Sequence, residues 1–509
     1  MDRRQFLSVL ASAAMAPQLA GATDGEPGLM LGKGEPFSRR AIIDRARDMA
    51  KRAYAPRAEV PLAWRELSYE QYKSIWFDTR NALWADGDTP VQMDVFHPGL
   101  YFPRAVQINA VEEGQTRRVQ FDMAVFDKTD QVPDLPVPTD LGYSGLRLRA
   151  ELETPGIFTE YMVMQGASYF RAIGKGQNYG LSARGIAIDT AEPSGEEFPE
   201  FTEFWIERPA PGQMDTVIHA LLDGPSVTGC YRFRITPGDT TVMEVEADLF
   251  ARKRLTHVGL APLTSMFLFD ETNRERFSDF RPAVHDSDGL MMMNGGGEVI
   301  WRPLANPKRL QVSGFLDKDP KGFGLMQRAR QLGDFADLEA HYHTRPGLWV
   351  EPQGDWGMGR VRLVEIPSDK EIYDNIVAYW RPMDPMEPGK NHRFAYRLYW
   401  GADPAPVHTL AQVLNTRMGE STFSDGHIIA IDFAAHPDLP EDLSQVVKLI
   451  RASGGVEVTE GVLQRNPETG GARLAFRFIP GDAQVVEFRA QLRLPGQALS
   501  EVWLYRWTA

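Results

Sequence analysis

Thr241-Val-Met-Glu-Val-Glu-Ala247 sets apolar side chains at Met243, Val245 and Ala247 against acids at Glu244 and Glu246. A period of two is that of a β-strand with one face in a core and the other in water. Leu146-Arg-Leu-Arg-Ala-Glu-Leu152 repeats the pattern, and Arg118-Val-Gln-Phe-Asp-Met-Ala-Val-Phe126 is read the same way. Turn formers such as Pro237-Gly-Asp, Asn294-Gly-Gly-Gly and Pro495-Gly496 separate these runs at short intervals. Many short strands joined by close turns predict a mostly β sandwich or barrel.

Toward the N-terminus the period changes. Ser38 to Tyr54 places Ile42, Ile43, Ala46, Met49 and Ala50 on one stripe behind a serine N-cap, and Pro56 stops the run, so a helix is expected there. A second, shorter helix is expected at Tyr69-Glu-Gln-Tyr72. Toward the C-terminus, Pro382, Pro385, Pro388 and Gly389 crowd one loop, and Gly401-Ala-Asp-Pro-Ala-Pro reads as a hinge. Beyond it, Ile428–Phe433, Val446–Ala452, Arg473–Phe478, Val485–Leu492 and Glu501–Trp507 read as strands with no helix between them. About 100 such residues suggest a small immunoglobulin-like sandwich.

At 509 residues, two domains are the default. The net charge of -14 becomes about -15 without residues 1–22, where Arg3 and Arg4 stand against Asp2. An acidic chain with no long basic run is a poor partner for nucleic acid or anionic membrane. Past the leader no apolar run of roughly 18 residues is present to span a bilayer. Asp2-Arg-Arg-Gln-Phe-Leu7 precedes an apolar stretch to Leu19 and the small residues Ala20-Gly-Ala22. This is the form of a twin-arginine export signal, cleaved near Thr23, and it makes the periplasm the expected location. The single cysteine, Cys230, excludes an internal disulfide.

The sequence contains no Gly-x-Ser-x-Gly elbow, Walker loop or Cys-x-x-Cys motif. His341 and His343 alternate as strand neighbours would, but no third ligand is near, and Asp286-Ser-Asp288-Gly289 lacks the downstream glutamate of a calcium loop. No metal or cofactor is expected. Carboxylates and aromatics concentrate between residues 277 and 400, and four of the eleven tryptophans fall between residues 301 and 380. Indole and phenol rings suit the apolar faces of sugars, while arginines and carboxylates suit their hydroxyls. Arg281, His285, Tyr342, Trp349, Glu351, Trp356, Tyr379 and Trp380 are therefore candidate saccharide-binding residues. The same residues also suit a plain structural role, since tryptophans fill sandwich cores and Asp-Ser-Asp-Gly is a common turn.

Several longer stretches resemble the periplasmic glucan biosynthesis proteins G and D. They are Tyr169-Phe-Arg-Ala-Ile-Gly-Lys-Gly-Gln-Asn-Tyr-Gly-Leu-Ser-Ala-Arg-Gly185, Gly259-Leu-Ala-Pro-Leu-Thr-Ser-Met-Phe267, Arg281-Pro-Ala-Val-His-Asp-Ser-Asp-Gly289, Asp374-Asn-Ile-Val-Ala-Tyr-Trp380 and Glu501-Val-Trp-Leu-Tyr-Arg-Trp507. The arginine pair draws the resemblance toward the D member. It implies a large N-terminal sandwich of the sugar-mutarotase kind over residues 23–400 and an immunoglobulin-like domain over 401–509. It also implies work on β-1,2-linked glucan as an inverting endo-β-1,2-glucanase or a related transglycosylase. The positions matching the family's catalytic pair are Asp374 as general acid and Asp286 as general base. Met291-Met-Met293 departs from the pattern and would alter subsites if it lined the cleft. The alternatives are a non-catalytic glucan-binding protein that guides chains for a membrane glucan synthase and, on fold analogy alone, a sugar mutarotase.

Overall fold

A computed structural model describes residues 28–509 except 86, 88 and 423. The export signal expected over residues 1–22 lies outside the described residues. Thr241–Ala251 is a strand whose burial alternates as its sequence does: Met243, Val245 and Ala247 are in the core while Glu244 and Glu246 point out. It belongs to a 16-stranded sheet. Gly145–Ala150 obeys the same rule, with Leu146, Leu148 and Ala150 inward and Arg147 and Arg149 outward, in a 10-stranded sheet. The inner faces of these two sheets share one apolar core, so the molecule is a mostly β sandwich.

The predicted helix forms over Arg39–Ala50, with Ser38 Oγ accepting the Ala41 N–H at 3.3 Å. Its Ile42 and Ala46 pack against Trp205, Leu221, Cys230 and Phe250 on the outside of the larger sheet. Tyr69–Lys73 is helical behind a Ser68–Gln71 capping box. The run from Arg118 to Phe126 is not one strand. The strand ends at Arg118 with one further bridge at Val119, Asp122 caps a 3-10 turn over Met123–Val125, and Phe126–Lys128 pairs elsewhere with Ile75–Phe77. The Asp122 carboxylate, accepting the Ala124 N–H at 2.8 Å, outcompetes the ladder.

Past residue 401, strands Val413–Glu420, His427–Phe433, Ala472–Phe478 and Val462–Arg465 form one sheet. They enclose a second core with Val447–Ala452, Val485–Leu494 and Val502–Thr508. Strand pairing links this region to the rest of the molecule. Val502–Thr508 runs parallel to Val299–Pro303, with Trp301 opposite Trp503, so the large sheet continues into it. The buried Arg328–Glu501 ion pair, 2.7 Å, crosses the same junction. Met291–Met293 lies on the hairpin strand Gly289–Met293, with Met291 in the second core and Met292 in the main one, so these side chains do not line a cleft. Gly289 is required there because the Trp301 ring lies where a Cβ would go. Among the described residues, no helix is long and apolar enough to cross a membrane.

Candidate active site

Phe267 is the anchor of the site. Its strand, Phe267–Phe269, pairs with Val284–His285, Phe267 standing opposite His285. The next residue is Asp286, whose N–H donates to Met266 O at 2.8 Å. On the other side, the Asn375 side chain accepts the Phe267 N–H at 2.8 Å and donates to Phe267 O at 2.9 Å and Ile366 O at 3.0 Å. The residue before it is Asp374. One buried backbone unit thus positions two aspartates from distant loops, through contacts spanning 108 residues.

Arg345 joins them. Its guanidinium forms an ion pair with Asp286, donates to Ala340 O and lies 4.3 Å over the Tyr342 ring. Burial acts to lower the Arg345 pKa, but the negative fields of Asp286, Tyr342 and Asp374 more than offset it. Gly180, from the glycine-rich loop of the long motif, leaves room for the arginine: a Cβ there would come within 3.0 Å of Arg345 Cβ. Asn178 ties that loop to Thr344 at 3.1 Å. Arg171 reaches the other aspartate, with Nη2 3.8 Å from Asp374 Oδ2. Its neighbours Phe170 and Ala172 are in the core, so Arg171 faces outward from the smaller sheet. Arg147, Glu160 and Asp94 line that same outer face in ion pairs of 2.7–2.8 Å.

The candidate binding residues divide. Tyr342 is in the site, 2% exposed, its hydroxyl donating to Glu371 at 3.2 Å. Arg281 bonds Asp279, Asp337 and Glu371, each at 2.8 Å, and so knits three loops rather than presenting a free guanidinium. His285 is packed between Phe267 and Phe335, and burial pulls its pKa down to about 3, leaving a neutral wall. The others are placed by burial and by strand face. Trp349 is 0% exposed in the second core. Trp380 is equally buried in the main one. Trp356 packs on Trp380 and Tyr396 and donates to Ala395 O. Glu351 shares the outward face of the larger sheet with Trp349 and accepts the Tyr399 hydroxyl at 2.6 Å. Tyr379 is on the outer face of the smaller sheet, packed with Val364 and Val377, three residues into Ile376–Pro382.

His341 and His343 are not strand neighbours; they flank Tyr342 at a 3-10 turn. Asp288 turns away from Asp286 and accepts the Arg328 and Ala329 N–H groups at 2.8 and 3.0 Å, while burial pushes its carboxyl up to about 6. Sequence reasoning missed Arg171, Arg345, Glu371 and Asn375 as site residues. Arg171 and Asn375 were visible only as members of the long motifs. Among the described residues, no group of three or more histidines, cysteines and acids is placed to hold a metal ion.

The chain belongs to the periplasmic glucan biosynthesis family. The model described as "Periplasmic glucan biosynthesis protein, MdoG" matches residues 37–507. Glucans biosynthesis protein G of Vibrio cholerae is 47% identical over 477 residues, covering 93% of this chain and 87% of that protein. The protein of the same name from Shewanella sp. strain MR-4 is 45% identical over 476 residues, with the same coverage. That from Shewanella frigidimarina is 46% identical, covering 93% of this chain and 85% of the relative. Membership places the chain in periplasmic glucan biosynthesis. These relatives carry the name G, and the leaning toward the D member rests on Arg3 and Arg4 alone.

Proposed function

We propose that this chain remodels the β-1,2-linked backbone of periplasmic glucans as an inverting endo-β-1,2-glucanase or related transglycosylase. The observation that carries the reading is that one buried backbone unit at Phe267 holds the segments of both aspartates, with Arg345 paired to Asp286 and Arg171 3.8 Å from Asp374. Asp374, as general acid, gives its proton to the glycosidic oxygen as the bond to the anomeric carbon breaks. Asp286, as general base, takes a proton from the water that attacks the opposite face. The ion pair with Arg345 orients the Asp286 carboxylate for that task. A sugar hydroxyl in place of water makes the same site a transglycosylase. Residues 23–400 are proposed as the glucan-acting unit and 401–509 as an immunoglobulin-like one.

The test is incubation of the purified protein with linear β-1,2-glucan, followed by sizing of the products. Shortened or cyclised chains are expected. Unchanged chains bound with measurable affinity would make the protein a binder that guides glucan for a membrane synthase. Export is proposed to follow the twin-arginine route. Replacing Arg3 and Arg4 with lysine should hold the precursor in the cytoplasm, and a normal periplasmic yield would assign the general secretory route instead.

A further inference from the structure

On the outer face of the smaller sheet, one end is balanced in charge. Arg147 and Arg149 meet Asp94, Arg147 also meets Glu160, Arg171 approaches Asp374, and Arg184 meets Glu196 at 2.6 Å. The far end is different. In the paired strands Met358–Glu365 and Ile376–Pro382, Arg360 stands directly opposite Arg381, and Arg362 opposite Tyr379. Val361, Leu363, Ala378 and Trp380 fill the core, so the three arginines share the outer face. Like charges directly opposite on a sheet destabilise it.

Little within the protein relieves them. Among the described residues, the carboxylate in ion-pair range is Glu192, 4.0 Å from Arg362, and it is already bound to His257 at 2.6 Å. Arg360 reaches only the Met383 sulfur, at 3.9 Å, and Arg381 the Thr256 carbonyl, at 3.3 Å. Arg362 has the Tyr379 side chain opposite it as a neutral partner, while its Nε is buried with no hydrogen-bond partner. Burial, and then the neighbouring Arg362 and Arg360, hold the Arg381 pKa below its ordinary value. On the adjacent strand, Gly314 makes room for the cluster, since a Cβ there would lie 3.3 Å from Arg360 Cδ. In a chain of net charge -14, such a half-buried arginine trio is built for an anion.

We propose that Arg360, Arg362 and Arg381 form a binding site for a phosphate group, either free or carried on a sugar. Guanidinium forks match the paired oxygens of such groups. Ile376 to Arg381 covers roughly 17 Å of strand, so this site is separate from the aspartates. It does not depend on the glucanase reading, because binding is measured without glucan.

The test titrates the mature protein by calorimetry and thermal melting at constant ionic strength. The probes are inorganic phosphate, a hexose phosphate and the same hexose without phosphate. Phosphate should raise the melting temperature of the wild type. Arg381→Gln should weaken phosphate binding at least about tenfold, yet melt no lower than wild type without phosphate, since one facing charge is gone. Arg360→Gln serves as the second variant. A hexose phosphate bound at least about tenfold tighter than inorganic phosphate, with the plain hexose silent, identifies a sugar-borne anion; equal affinities identify a free one. No phosphate-specific shift, or equal binding by wild type and both folded variants, overturns the site.

Discussion

The loops that meet at Phe267 and the tryptophan-bearing strands between residues 301 and 380 overlap in sequence and are alike in composition, yet they do different work. In the strands, Trp349 and Trp380 are wholly buried, and Trp356, in the turn between two of them, is nearly so. Their rings lie against glycines, Trp349 on Gly322 and Trp380 on Gly359, and close the cores. In the loops, few rings are exposed and the polar atoms converge: Asn375 on Phe267, Arg345 on Asp286, Tyr342 on Glu371. Aromatic density therefore marks packing in this protein, and side-chain-to-backbone ties across long sequence distances mark the site.

Replacing Trp349 with alanine would break this comparison if the indole were a sugar platform. Truncation of a fully buried tryptophan should cost about 3–5 kcal/mol of stability and leave glucan affinity unchanged. Urea unfolding and a glucan titration of the folded variant measure the two effects. Lost affinity at unchanged stability would return Trp349 to the cleft.

Asp270 sharpens the other side of the comparison. It follows the anchor strand and accepts the Thr272 N–H and hydroxyl at 2.8 and 2.6 Å. Burial, helped by Glu271, nevertheless pushes its pKa up to about 7 from 3.8. The folded state thus holds a proton that the unfolded chain releases between pH 3.8 and 7, so this contribution to stability is present at low pH and lost as pH rises through about 7. The full span is on the order of 4 kcal/mol at about 1.36 kcal/mol per pKa unit. Asp270→Asn should remove it: melts at pH 8 should favour the variant, and the difference should shrink toward pH 4. A pH-independent difference would contradict this account.

Much of the fold was legible because local patterns match local burial. Met243, Val245 and Ala247 went inward as their spacing required, and Ser38 capped the helix it precedes. The reading failed at Asp122, where one carboxylate turned a run of strand formers into a 3-10 turn. Among the candidate site residues, residue type did not tell the side each one faces. Glu351 and Trp349 share the strand face opposite to that of Leu348 and Val350, which fill the main core. Asp286 and Asp288, two residues apart, diverge because one meets Arg345 and the other the backbone of Arg328 and Ala329. No local pattern encodes the bond from Asn375 to Phe267, since that contact exists only once the sheets are assembled.

That divergence within one turn supplies the most direct test of the proposed chemistry. Cleavage rates on linear β-1,2-glucan should be compared for Asp286→Asn, Asp374→Asn and Asp288→Asn, with melts to confirm folding. The account predicts losses of about 10²–10⁴-fold for each of the first two. Any loss in Asp288→Asn should follow its stability, because its carboxylate serves the backbone and not the substrate. Near-normal rates for Asp286→Asn and Asp374→Asn beside an inactive, folded Asp288→Asn would contradict the assignment.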